Sequence, residues 1–234
     1  MVNIEELGER DRIVKQIRWA RGIEEDRHIV LERTLVGYIG NLRGLKHLLE
    51  YLRQQTSNLK SNTILDVGAG LTIAISELER LPLGKGFNFL ATVLKGHPEI
   101  EVHLGMERVH ITSVERLRGV RNKSIACVLG VFSIAYSASP RLAIQQIDRV
   151  LVPGGILKAS FQHSEFVEEE HKIRTHHEFT STLKELGYDV AIIENTDDEA
   201  EIVLAIKPGL NGISAKELIN QDNEDWEEQI KEVE

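Results

Sequence analysis

Residues 63–70 read Thr63-Ile64-Leu65-Asp66-Val67-Gly68-Ala69-Gly70, and Leu71 to Arg80 follows at helical spacing with Ile73, Ile75 and Leu78 apolar. A short run of strand-forming residues, ended by glycines and followed by a helical pattern, reads as strand, tight turn, helix. Glycines let a backbone approach a ligand closely and adopt conformations that a side chain forbids. The following helix would aim its free N–H groups, and the positive end of its dipole, at whatever sits there. An acid at the strand end, here Asp66, can take a cation or a hydroxyl. A tight strand-to-helix turn with no ligand would carry the same residues, so the rest of the chain decides.

Working outward, strands and helices alternate. Phe87 to Leu94 and Val109 to Val114 read as the second and third strands. Ser124 to Ser133 is a nearly continuous apolar run, as in a strand buried on both faces. Pro140 to Leu151 is helical, Pro153-Gly154-Gly155 a turn, and Ile156 to Phe161 a fifth strand. Phe179 to Leu186 is a helix stopped by Gly187. Asp189 to Glu194 and Glu201 to Lys207 are joined by a short acidic turn, which predicts an antiparallel hairpin. The pattern predicts an α/β fold with an open, mostly parallel sheet and helices on both faces. Ligands of such sheets bind beyond the carboxyl ends of the strands, where strand order reverses.

Residues 1–57 contain no proline and carry apolar residues at helical spacing, which predicts an N-terminal helical extension of two or three helices. Residues 58–208 form the α/β core. In 209–234, Ser214-Ala215-Lys216-Glu217 is a capping-box pattern that opens a helix. Residues 222–234 hold seven acids and one lysine, the composition of a solvated terminal helix or a frayed tail.

The chain has 234 residues, of which 41% are hydrophobic and 28% charged, enough for a full core and too apolar for wholesale disorder. One cysteine, Cys127, excludes an internal disulfide framework and fits a reducing compartment, so a cytoplasmic location is expected. The first residues are too charged for a signal peptide, and the longest apolar run is far shorter than a membrane helix needs. A formal charge of −9 weighs lightly against a nucleic-acid partner. There is no GxxxxGK[ST] phosphate loop, and Gly68-Ala69-Gly70-Leu71-Thr72-Ile73 lacks the third glycine of a dinucleotide fingerprint.

Four segments, in order, resemble class I S-adenosylmethionine-dependent methyltransferases. TILDVGAG (63–70) resembles their first nucleotide-binding motif. Residues 113–140 resemble their run from the loop after the third strand into the fourth. IDRVLVPGGILKASF (147–161) resembles the turn into their fifth strand, and residues 187–208 their closing hairpin. The resemblance spans about residues 60–208. It implies a Rossmann-like sheet of seven strands, mostly parallel with an antiparallel last strand, and S-adenosylmethionine as cofactor.

The same resemblance implies site residues. Asp66, Gly68, Ala69 and Gly70 would line the cofactor's amino-acid and ribose end, with Thr72 where the family has glycine. Val93 ends the second strand, where the family has an acid gripping the ribose hydroxyls. Ser113, Val114 and Glu115 would lie near adenine, with Ser113 in place of an acid. Gly130 and Val131, with Phe132, would lie beside the methyl-donor sulfur.

Methyl transfer needs an aligned acceptor more than a dedicated catalytic residue, because the sulfonium is already activated. The Asn/Asp-Pro-Pro-aromatic signature of base amino-group methylation is absent at Val131-Phe132-Ser133-Ile134. A substrate lid would come from 1–57 and the 162–178 loop. That loop holds His163, His171, His176 and His177; His163 is the candidate base, while a polar surface helix is the plainer reading. No metal site is expected. Tyr136, Trp19 and Trp226 are most simply packing residues.

The expected function is therefore methylation of an acceptor that the sequence does not identify, be it small molecule, protein or RNA. The altered residues at Thr72, Val93 and Ser113 motivate a rival, a methyltransferase-like scaffold or subunit acting through a protein partner. A nucleotide-sugar or dinucleotide binder on the same fold is the third reading.

Overall fold

The structure, a computed structural model, describes residues 35–69, 74–94, 104–131, 133–134, 137, 139–162, 169–194, 200–209 and 212–233. Of the expected site residues, Gly70, Thr72 and His163 lie outside these, as do Phe132, Tyr136, Trp19 and most of the N-terminal extension.

Helices α1 (Leu35–Asn41) and α2 (Lys46–Leu59) precede strand β1 (Thr63–Asp66). Then come α3 (Ala74–Arg80), β2 (Asn88–Val93), β3 (Val109–Ile111) and β4 (Ile125–Val131). The chain continues through α4 (Pro140–Val150), β5 (Leu151–Gln162), α5 (Glu169–Glu185), β6 (Asp189–Glu194), β7 (Ala200–Ile206) and α6 (Ala215–Val233). The strands form one seven-stranded sheet in the order β3-β2-β1-β4-β5-β7-β6. β7 runs antiparallel to both of its neighbours, and the other strands are parallel.

All seven residues of β4 are buried, which is why its sequence shows no alternation. One face packs Ile64, Phe89, Leu129 and Ile156 under α1, α2, α3 and α6; the other packs Leu65, Val128, Leu157 and Phe161 under α4 and α5. In α4, Ala143, Ile144, Ile147 and Val150 recur on one face, and Ser139 accepts the Leu142 N–H as its cap.

Three sequence expectations are corrected. Pro153-Gly154-Gly155 is no turn before β5 but a bulge within it. Pairing passes from Ile125–Leu151 to Cys127–Ile156, so Ala126 alone faces Val152–Gly155, and Gly154 takes φ +76°. The 162–178 segment is not a loop throughout: from Glu169 it is the helix that the plainer reading gave, the first turns of α5. The acidic segment is neither frayed nor wholly solvated. Ser214 caps α6 through the Glu217 N–H, as its pattern predicts, and α6 buries Ala215, Leu218, Ile219, Asp222 and Gln229.

The inner face of α6 also completes α2. Leu45, at the N-cap of α2, has no side-chain acceptor. Asp222 Oδ1 accepts the His47 and Leu48 N–H groups (2.9 and 3.3 Å), and Gln229 Oε1 accepts that of Leu45 (2.9 Å). Lys158 Nζ, fully buried on β5, donates to Gly44 O and Asp222 Oδ2, each at 2.7 Å. Trp226 packs under the Arg43 guanidinium, 4.5 Å from the ring centroid.

Candidate functional site

The order β2-β1-β4 places the reversal of strand order between β1 and β4. Because β1 to β4 are parallel, their carboxyl ends share one edge. That edge carries Asp66 and the Gly68-Ala69 turn, Val93, the Ser113–Glu115 segment just past β3, and Gly130 with Val131.

The β1 turn is held on both sides. Val67 N–H donates to Leu129 O on β4 (2.8 Å). Gly68 N–H donates to Thr92 Oγ1 (2.9 Å) and Ala69 N–H to Thr92 O (2.9 Å), both on β2. The Ser133 hydroxyl donates to Val67 O. Gly68 sits at φ +67°, and a Cβ there would meet Ser133 Cβ at 2.5 Å. A Cβ on Gly130 would meet Ile134 Cδ1 at 2.7 Å. Close approach of the segment after β4, together with the positive φ, thus requires glycine at 68, while at 130 the Ile134 side chain would have to move. Asp66 is fully buried at the end of β1.

On the β2–β3 side two apolar residues are exposed. Leu94, the residue after β2, is 51% exposed, and Ile111, paired with Val93 at the end of β3, is 61% exposed. Beyond them Thr112 N–H returns to Val93 O (2.8 Å), and Ser113 O accepts the N–H groups of Arg116 and Leu117. Val114 turns its side chain into the core with Leu117 and Val120, so any contact it makes at the mouth is a backbone one. The far end of this loop is tied to α4 by Arg149, which donates to Leu117 O and Val120 O at 3.0 Å each.

No protein-family profile matches the sequence, and no curated protein does. Solved structures do. The DszA carbon methyltransferase superposes with a TM-score of 0.52 at 18% identity, over 70% of this chain and 53% of that one. A protein from Listeria monocytogenes described as an S-adenosylmethionine-dependent methyltransferase gives 0.51 at 16% identity, over 70% and 99%. The CurJ carbon methyltransferase gives 0.50 at 10% identity, over 70% and 54%, so this chain spans about half the length of the two carbon methyltransferase chains. The chain has the class I methyltransferase fold.

Within this methyltransferase fold, the residues present suit parts of S-adenosylmethionine. A buried carboxylate at the end of β1 suits an ammonium or a hydroxyl, and the exposed Leu94 at the end of β2 offers an apolar surface to a base. The last residues of β2 supply no carboxylate: Thr92 is engaged with the turn, and Val93 is apolar and buried. His177 lies on the surface of α5. Among the described residues there is no cluster of three His, Cys, Asp or Glu that could hold a metal ion. Cys127 is buried in β4, and burial pushes its thiol well above the usual range, so it is no nucleophile at neutral pH.

Sequence reading passed over four residues of this edge. Leu94 and Ile111 show only once the neighbouring strands leave them uncovered. Thr92 had a signal, a lone hydroxyl beside the strand end in an otherwise apolar run. Ser133 had none, since its role depends on a glycine 65 positions earlier in the chain.

Proposed function

We propose that this chain binds S-adenosylmethionine at the carboxyl edge of β1, β2 and β4 and transfers its methyl group to an acceptor. The observation that carries the reading is the buried Asp66 carboxylate beside the Gly68 turn, at the reversal point of a sheet ordered 3-2-1-4-5-7-6. The cofactor supplies a methyl group already activated on a sulfonium. Asp66 accepts hydrogen bonds from its amino-acid or ribose end, and the exposed Leu94 gives the base an apolar ledge. Gly130 and Val131 border the space where an acceptor approaches. Rate enhancement then comes chiefly from alignment, with a base, His163 being the candidate, needed only for an acceptor that carries a proton when it attacks. The single buried thiol leads us to place the protein in the cytoplasm.

A second reading, a non-catalytic scaffold or subunit, is favoured by two findings. Gly68 and Gly130 face Ser133 and Ile134, and β2 ends without an acid. Calorimetric titration of S-adenosylmethionine and S-adenosylhomocysteine into the purified chain separates the two. The first reading expects dissociation constants of ~1–100 μM, about −8 to −5.5 kcal/mol, lost in Asp66→Ala. No heat at millimolar ligand, from a protein with a cooperative melt, would overturn the first reading and leave the scaffold as the one to pursue.

A further inference from the structure

Where β1 leaves the sheet, its backbone groups lose their ladder partners and each needs a new one. Two residues from distant parts of the chain provide them. Thr92, fully buried on β2, takes the Gly68 N–H on its side-chain oxygen and the Ala69 N–H on its carbonyl. Ser133, just beyond β4, gives its hydroxyl to Val67 O and fills the side of Gly68 where a Cβ would stand.

We propose that Thr92 and Ser133 are positioning residues for the ligand at this edge, a pair of hydroxyls that fixes the Asp66–Ala69 path before any ligand arrives. The proposal rests on the cofactor reading above. Without these bonds the four-residue path would be ordered on binding, and each residue's backbone ordering opposes binding. With them the ordering is completed on folding, and Asp66 stands at a fixed place. Ser133 has a second effect. It ties the segment after Gly130 and Val131 to the turn after Asp66, so the two walls of the mouth hold one spacing.

The test is titration of S-adenosylhomocysteine into the full chain and its Thr92→Val, Thr92→Ser and Ser133→Ala variants, each with a thermal melt. Thr92→Val keeps the shape and removes the acceptor. It is expected to weaken binding roughly tenfold, Ser133→Ala about three- to tenfold, and Thr92→Ser less than about threefold, since serine restores the oxygen. A Thr92→Val variant that melts earlier yet binds within about twofold of wild type shows a merely structural hydroxyl and overturns the proposal. Should Thr92→Val not fold, Ser133→Ala decides, and unchanged binding in it overturns the proposal equally. Absence of binding by folded wild-type protein has a different meaning: it removes the cofactor reading, and the positioning role falls with it.

Discussion

The Cα of Gly68 presents its open side to Ser133, so that a methyl group on Gly68 would lie 2.5 Å from Ser133 Cβ. Two penalties therefore fall on Gly68→Ala. One is the left-handed backbone at φ +67°, about 1–2 kcal/mol for a residue with a side chain. The other is the clash. Gly68→Ala is expected to lose roughly 2–4 kcal/mol in urea unfolding. Ser133→Gly relieves the clash but loses the bond to Val67 O, so its own cost is measured too, and the two changes together should cost about 1–2 kcal/mol less than their sum. Strict additivity would show that Ser133 does not press on the turn.

Lys158 and Asp222 form a fully buried pair at 2.7 Å. Removing the acid leaves an ammonium in the core and opens the N-terminus of α2, so Asp222→Ala should cost about 4–6 kcal/mol. Lys158→Met leaves Asp222 Oδ2 and Gly44 O without their buried donor while Oδ1 keeps two N–H groups, so it should cost about 3–5 kcal/mol. The double variant should be more stable than the sum of the two predicts, by about 1–3 kcal/mol. Strict additivity in denaturant melts would contradict the pairing.

Leu94 reaches solvent at the proposed base-binding ledge. Leu94→Asp should leave stability within about 0.5 kcal/mol, as for other surface changes. It should also weaken S-adenosylhomocysteine roughly tenfold by wetting the ledge. Unchanged affinity would place the base elsewhere.

His110 on β3 is held below the usual histidine range by burial. The unfolded chain therefore takes up a proton at higher pH than the folded one does. Stability from this group is complete above its unfolded value near 6.5 and declines as pH falls through that value toward the lowered folded one. Melting curves from pH 7.5 to 5 should show a steeper acid-side loss in wild type than in His110→Asn. Parallel pH profiles would exclude His110 as the source.

Much of this was legible in the chain itself. The glycine turn at Gly68, the unbroken apolar run of β4 and the short acidic link between β6 and β7 each have a local physical cause, and each predicts its element. The residues that sequence left unread act across distance. Lys158 reads as an oddity in a buried strand until Asp222 and Gly44 O are found around it. The acids of α6 read as a solvated face, because charge composition does not reveal that one of them points inward. Pro153-Gly154-Gly155 has turn chemistry, and only its neighbour β4 shows that pairing resumes beyond it. At the mouth, the use of Thr92 by the turn depends on a contact 24 positions away, which no local pattern shows.

The pairing of Lys158 with Asp222 also sets a schedule. The two residues are 64 positions apart, so a ribosome adding ~5–20 residues per second makes the lysine about 3–13 s before its acid. During that interval β1 to β4 are already synthesised and can begin to pair, but β5 brings a cation that nothing yet neutralises. Seating the middle of the sheet therefore waits for a helix made long after it. A nascent chain stalled in this window would expose the apolar flank of β4 to whatever chaperone or partner is nearby.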